Sequence, residues 1–217
     1  LQQVVGNQYG DRYYPSMSGV ARSLNYYPIG EEKAEEGIVN LALGLGKYIV
    51  DGGMTLRFSP YHPHQVLQTS ELEMALRETQ TRFYALDLGN AGHDFSIDDG
   101  FNLLKLNVKE AEKDGSLNYI ASTYDPYDQI IRDGLYPGGR KVITFANILQ
   151  HDVFPLARIL QLALKYGQQE MRRPVEIEFA ANLNREKDKT GTFYLLQIRP
   201  IVDSKEMLDE DLSLIPD

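Results

Sequence analysis

The chain contains no cysteine and no tryptophan among its 217 residues, and acidic side chains outnumber basic ones. The lack of cysteine excludes disulfide bonds and thiolate metal sites. The net charge of −9 argues against a sequence-independent nucleic-acid binder, because such proteins present basic faces to the phosphate backbone. A nucleotide remains an acceptable ligand, since a local site of arginine, lysine and Mg²⁺ does not require a basic protein.

Long hydrophobic runs are also lacking. No run approaches the roughly 18–20 apolar residues of a membrane-spanning helix, and no signal-peptide pattern is visible. We therefore expect a cytoplasmic protein with no membrane partner. With 42% hydrophobic residues, the chain has room for a real core in one domain or two small lobes. It begins at Leu1 rather than at a methionine, which suggests a fragment of a longer protein.

The clearest pattern is a predicted hairpin near the C-terminal end. Residues 174–180 and 193–200 both alternate between apolar and polar side chains, which predicts two antiparallel strands. Successive side chains on a strand point to opposite faces. If the strands pair in that register, the apolar face carries Val175, Ile177, Phe179, Tyr194, Leu196 and Ile198.

The other face of this hairpin carries Glu176, Glu178, Gln197 and Arg199. Mg²⁺ is usually bound through one or two carboxylates together with phosphate oxygens and water. The planar guanidinium of arginine binds phosphate through two parallel hydrogen bonds. These residue types are therefore suited to a Mg²⁺ site beside a phosphate clamp. The alternative is a solvent-facing strand surface that is polar without any function.

The hairpin resembles the end of the nucleotide-binding domain in the phosphoenolpyruvate synthase and pyruvate phosphate dikinase family. Members of that family close an ATP-grasp fold with a (D/E)-I-E-(F/W) strand and an L-Q-x-R-P strand. The resemblance implies that Glu178 and Gln197 hold the metal on the ATP phosphates, with Glu176 close by. It also implies that Arg199 contacts the phosphates and acts in catalysis by stabilising the transferring group.

The N-terminal segment adds to the resemblance. In the family, a Q-(E/K)-M-V segment forms the hinge between the ATP-grasp lobes and offers backbone groups to adenine. Gln2, Gln3, Val4 and Val5 resemble that hinge. An N-terminal edge strand is the alternative interpretation of the same residues.

Two further segments resemble the family and also depart from it. Residues 18–23 resemble an S-G-V-x-F-(T/S) strand, although Arg22 stands where an aromatic residue is usual. Residues 44–47 resemble a G-L-G-E motif, although Lys47 replaces the glutamate and reverses a charge near the expected nucleotide cleft. Two interpretations stay open: the role of the acid has moved to another residue, or the activity is divergent or reduced.

We predict an α+β fold that corresponds to the C-terminal lobe of an ATP-grasp domain. A mixed or antiparallel sheet would carry a major helix over residues 154–166, with Asp152 as its N-cap and Gly167 as its end. Residues 7–15 are expected to form a loop. The domain would span residues 1–201 with a variable insert at about 67–136, and the acidic residues 202–217 would form a linker.

His62 and His64 flank a proline, an arrangement that is compatible with zinc. No acid or third histidine lies at a useful spacing, so a surface turn is the favoured interpretation.

The resemblance implies an ATP-dependent phosphotransferase that uses Mg²⁺ and ATP and passes a phosphoryl group to a carrier histidine. The expected partners are an upstream ATP-grasp lobe, a phosphohistidine domain and a phosphoenolpyruvate/pyruvate domain of the parent chain. The fragment alone would then have little activity. One alternative is a catalytically degenerate nucleotide-binding or regulatory module. Another, within the family, is a dikinase with water, a glucan or an antibiotic as the acceptor.

Overall fold

The computed structural model describes residues 2–89, 100–183 and 191–201. Residues 90–99 of the predicted variable insert, and the whole of the linker predicted over residues 202–217, lie outside these ranges. Within them the strands are β1 (Asn7–Tyr9), β2 (Arg12–Tyr14), β3 (Met17–Arg22), β4 (Ile38–Ala42), β5 (Leu56–Phe58), β6 (Arg82–Asp87), β7 (Leu103–Asn107), β8 (Ala121–Asp125), β9 (Ile130–Asp133), β10 (Arg140–Ile143), β11 (Val175–Asn182) and β12 (Thr192–Pro200). The helices are α1 (Lys47–Val50), α2 (Leu72–Arg77), α3 (Val108–Lys113), α4 (Ala146–Leu149) and α5 (Leu156–Met171), with 3₁₀ turns at Ala34–Glu36 and Leu67–Thr69.

The strands form three antiparallel sheets in the described part of the chain. The largest has the order β12-β11-β3-β4-β5, the second the order β1-β2-β6-β7, and the third the order β10-β8-β9. The predicted α+β class with an antiparallel sheet and a packed helix is confirmed, but the strands divide among three sheets instead of one. Strand β6, from the region predicted to be a variable insert, pairs with β2. None of the helices in the described ranges is long and apolar enough to cross a membrane.

The prediction of a loop over residues 7–15 is wrong, because β1 and β2 pair as a hairpin there. The reason is the aromatic content of the segment. Tyr14 is fully buried, with its ring centroid 4.6 Å from that of Tyr9 and 4.8 Å from that of Phe83. Tyr14 therefore belongs to the core and Tyr9 packs against it, although a polar and tyrosine-rich segment resembles a surface loop.

The long helix near the C-terminus is confirmed, but both predicted ends are wrong. Its N-cap is Pro155, not Asp152, and the helix continues through Gly167 to Met171. Gly167 is buried, and a Cβ at this position would lie 2.4 Å from the Cδ1 atom of Ile198. The glycine thus allows α5 to approach the largest sheet closely and does not end the helix. The leucines of α5 at positions 156, 160 and 164 are buried in the core beside this sheet.

The hairpin of β11 and β12 is confirmed, but its register changes at a bulge between Glu178 and Phe179. Leu196 has no partner on β11, because Glu178 pairs with Gln197 and Phe179 pairs with Leu195. Beyond the bulge Tyr194 pairs with Ala180, so its predicted placement on the apolar face is wrong. Phe193 occupies that face instead, and its ring stacks on the ring of Phe179 at a centroid distance of 5.2 Å.

Candidate functional site

Strand β11 lies between β12 and β3 in the largest sheet, so its polar side chains lie beside side chains of both neighbouring strands. Residues that pair directly in antiparallel strands point to the same face. One row of this face contains Arg199, Glu176 and Arg22, and the adjacent row contains Gln197 and Glu178. The second row continues through Val20, Asn40 and Arg57 on β3, β4 and β5. We call this surface the polar face of the sheet.

Glu176 is the buried centre of the first row, with a residue exposure of 6%. Its Oε2 atom accepts a hydrogen bond of 2.5 Å from Nε of Arg22. Its Oε1 atom accepts from Nε of Arg199 at 2.9 Å and also from Nη2 of the same residue. The two guanidinium groups are about half exposed at the surface. Glu176 is thus fully engaged by two arginines.

These contacts determine the protonation of the row. Burial by itself raises the pKa of Glu176, but the hydrogen bonds from Arg199 and Arg22 outweigh it and lower that pKa below its ordinary value. The hydrogen bond to Glu176 raises the pKa of Arg199, with a smaller contribution from the charge of Glu178. Glu176 is therefore an anion at neutral pH, and Arg199 is a cation.

Glu178 and Gln197 form the adjacent row and face the solvent more openly. Glu178 is half-buried and Gln197 is exposed. They are direct register partners, so their Cβ atoms lie roughly 4.5–5.5 Å apart. The predicted grouping of Glu176, Glu178, Gln197 and Arg199 on one face is confirmed by the pairing of β11 with β12.

The N-terminal segment lies beside β12. No strand is assigned to residues 2–6, so the alternative of an edge strand is not supported. The side chain of Gln2 donates to the carbonyl oxygen of Leu196 at 2.9 Å, next to Gln197. The carbonyl oxygen of Val4 accepts from the hydroxyl of Tyr13 at 3.1 Å. The side chains of Gln2, Gln3 and Val4 are exposed, and Val5 is half-buried.

The glycine-containing segment after β4 packs over the opposite end of the polar face. The hydroxyl of Ser18 donates to the carbonyl oxygen of Gly44 at 2.6 Å. Gly44 has φ of +85°, and a Cβ there would lie 2.7 Å from the carbonyl oxygen of Tyr84. This position therefore requires glycine. Lys47 follows as the first residue of α1, and its amine lies 3.5 Å from a carboxylate oxygen of Asp51.

Each of the two histidines singled out in the sequence contacts the side chain of another residue. His62 contacts the carboxylate of Glu36 at 3.0 Å, and His64 contacts the side chain of Gln150 at 3.1 Å. Within the described ranges there is no cluster of three or more histidine, cysteine, aspartate or glutamate residues that could hold a metal ion.

In the row of Glu176, Arg22 is the residue that the sequence did not assign to the site. It appeared only as a departure from a family pattern. The available signal was its position in β3, two residues beyond Val20, which places it on the same face of that strand. Its contact with Glu176 follows only from the pairing of β3 with β11, over a sequence separation of 154 residues.

Comparison with known proteins assigns the chain to a family. The sequence matches the family described as pyruvate phosphate dikinase, AMP/ATP-binding domain, over residues 1–213. The match spans every residue of the polar face. A search of curated proteins finds no match.

Proposed function

The chain belongs to the family of AMP/ATP-binding domains of pyruvate phosphate dikinase, and from this premise we propose that the part of its polar face on β11 and β12 binds Mg·ATP for phosphoryl transfer. Glu178 and Gln197 would hold the metal, and Arg199 would bind the phosphates. Gln2, Gln3, Val4 and Val5 would lie against the adenine base. The phosphoryl group would pass to a carrier histidine in another domain of the full-length protein.

The observation that carries this proposal is the register of β11 and β12. It aligns a carboxylate with a carboxamide in one row and a buried glutamate with an arginine in the next. Residues two apart on a strand are separated by about 6.6 Å, so one polyphosphate is long enough to contact both rows. An isolated polar strand face would not need a buried carboxylate between two arginines.

The donor set fits Mg²⁺, which prefers oxygen ligands and usually keeps several water or phosphate oxygens. One carboxylate from Glu178 and one amide oxygen from Gln197 would leave the remaining positions to phosphate and water. Glu176 would not be a ligand, because both of its oxygens accept hydrogen bonds from arginine. The ion would neutralise charge on the phosphates during transfer.

The role of Arg199 follows from its contacts. Its Nε and Nη2 atoms donate to Glu176, which fixes the plane of the guanidinium while more than half of the side chain stays exposed. A cation held in place beforehand stabilises the charge of a transferring phosphoryl group without reorganising during the reaction. The N-terminal segment proposed to contact adenine would be attached to β12, the strand of Arg199, because the side chain of Gln2 donates to the carbonyl oxygen of Leu196.

Lys47 supports a second candidate function, a nucleotide-binding or regulatory module without catalysis. Lys47 replaces the acid expected after the glycine-containing segment, which packs over the polar face through Ser18 and Gly44. A cation at this end of the face would alter the charge balance around a bound nucleotide. In that case the protein would bind Mg·ATP but would not transfer phosphate.

Calorimetric titration of Mg·ATP into the full-length protein tests the proposal, with Glu178→Ala and Arg199→Ala variants alongside. Each variant should weaken binding by about tenfold or more, because each removes a charged contact. Arg158→Ala, on the exposed side of α5, is the matched control and should bind like wild type. If the folded wild-type protein does not bind Mg·ATP, the proposal fails. If it binds but transfers no labelled phosphate to a histidine, the second candidate is favoured.

A further inference from the structure

We propose that Arg22 is a second phosphate-binding residue, and that Glu176 is the positioning residue that holds Arg22 and Arg199 as a pair. This inference rests on the proposed function of the polar face and extends it to a residue on a third strand. The ligand group is the polyphosphate of the nucleotide.

The first step of the argument is placement. Arg22 and Arg199 are the register partners of Glu176 on its two sides. Neighbouring strands lie about 4.8 Å apart, so the two arginine backbones are separated by about twice that distance. Both side chains turn toward the carboxylate between them, which brings two guanidinium groups to one point on the surface.

The second step is a count of donors. A guanidinium has five N–H groups. Arg22 uses its Nε atom for Glu176, and no other hydrogen bond of its side chain is found in the described part of the chain. Its side chain is 47% exposed. The terminal nitrogens of Arg22 are therefore available to a ligand in solution, in an orientation fixed by the bond at Nε.

The third step is charge. One arginine is sufficient to neutralise one carboxylate, yet Glu176 is bound by two. The three side chains of this row therefore sum to a charge of +1, and Glu178 in the adjacent row, the proposed metal ligand, carries one negative charge. A phosphate oxygen is the ligand that matches the positive charge of the row, because phosphate accepts parallel hydrogen bonds from a guanidinium. The row of Glu178 and Gln197 next to it would place the metal-bound phosphates within reach.

The fourth step is preorganisation. An exposed arginine loses much side-chain freedom when it binds an anion, which costs affinity. Glu176 restricts both side chains before the ligand arrives, because its buried carboxylate accepts from both of them. Glu176 therefore acts on the ligand through Arg22 and Arg199 without touching it.

The test is the affinity of the full-length protein for Mg·ATP, measured by calorimetry at low and high NaCl concentrations. Arg22→Gln should weaken binding by about tenfold at low salt, with unchanged stoichiometry, because one charged contact is lost. The affinity of this variant should also fall less steeply with salt than that of wild type, which a purely structural role of Arg22 would not produce. Arg22→Lys keeps the charge but not the planar group, so its affinity for Mg·ATP should lie between those of wild type and Arg22→Gln. Arg158→Gln is the matched control.

A double-mutant cycle tests the positioning role of Glu176. Glu176→Gln should weaken Mg·ATP binding in the wild-type background, and it should have a smaller effect in the Arg22→Gln background. Equal affinity of wild type and the folded Arg22→Gln variant overturns this inference, while a loss in Glu178→Ala would leave the proposed function standing. No binding by wild type overturns both.

Discussion

Among the residues that the structure describes, two glutamates next to arginines are buried, Glu176 at 6% exposure and Glu32 at 8%. Sequence and burial alone do not distinguish them. Glu32 lies between β3 and β4, and its Oε2 atom accepts from Nη2 of Arg57 at 3.1 Å, from the side chain of Asn25 at 2.9 Å and from the backbone N–H of Ile29 at 3.0 Å. All of its partners belong to the connection that it stabilises or to the adjacent strand β5.

The difference lies in the arginines. Nη2 of Arg57 also donates to the side chain of Asn25 and to the carbonyl oxygen of Tyr27, and the Arg57 side chain is only 26% exposed. Arg22 and Arg199 are about half exposed. A buried carboxylate with buried partners stabilises a loop, whereas one with exposed partners presents their charge to solvent. If the polar face binds Mg·ATP as proposed, the exposure of the partners, more than that of the carboxylate, distinguishes the binding site from the structural pair.

The largest effect on stability is expected at the internal glutamate. Glu32→Ala should lower the free energy of unfolding by about 3 kcal/mol, because it leaves a buried amide, a backbone N–H and a guanidinium without their acceptor. Urea unfolding would measure the loss. The folded variant should bind Mg·ATP like wild type, and a large loss of affinity would place Glu32 in the site and remove the distinction drawn above.

A smaller loss is expected at its arginine. Arg57→Lys should cost about 2 kcal/mol in unfolding free energy, because the shorter lysine side chain ends one bond before the position of Nη2, which contacts three acceptors. Thermal and urea unfolding give this number. Arg158→Lys on the exposed side of α5 should leave stability unchanged. Equal stability of the two variants would mean that the Arg57 contacts contribute nothing.

Glu176→Gln should cost only about 1 kcal/mol in unfolding free energy, since its half-exposed arginine partners regain hydration when the charge is removed. The same variant should lose Mg·ATP affinity. The two variants should therefore differ in which quantity they change most: Glu32→Ala lowers the unfolding free energy more, and Glu176→Gln lowers the affinity for Mg·ATP more. If Glu176→Gln were the more destabilising of the two and bound nucleotide normally, Glu176 would be a structural residue.

The smallest expected effect is the pH dependence of the contribution that Glu176 makes to the unfolding free energy. Burial raises the pKa of this carboxyl, but the arginine hydrogen bonds outweigh it and lower that pKa below the ordinary value of 4.5. A carboxyl with a lowered pKa in the folded state stabilises the protein above its unfolded-state pKa, and the stabilisation is lost as the pH falls through the folded value. The difference in unfolding free energy between wild type and Glu176→Gln should therefore be constant near neutral pH and shrink below about pH 4.5. A constant difference down to acid unfolding would contradict the lowered pKa.

The hairpin and the long helix were predictable because their signals are local. Period-two alternation in residues 174–180 and helical spacing in residues 154–166 each reflect burial of one face of a single element. The position of Arg22 depends on the pairing of β3 with β11, which no local pattern encodes. The roles of Gly167 and of the bulge at Leu196 likewise follow from the close packing of α5 on β12 and from the register of two strands.

The bulge also determines how the N-terminal segment is attached to β12. Leu196 is surplus to the ladder, because the residues before and after it would alternate correctly without it. Its carbonyl oxygen accepts from Gln2, so the surplus residue connects the N-terminal segment to the neighbour of Gln197. A shift of that segment would therefore act on the row of Glu178 and Gln197 through the backbone of one residue. If the segment binds the base and the row binds the phosphates as proposed, the extra residue would couple the two, in a strand that does not need it for pairing.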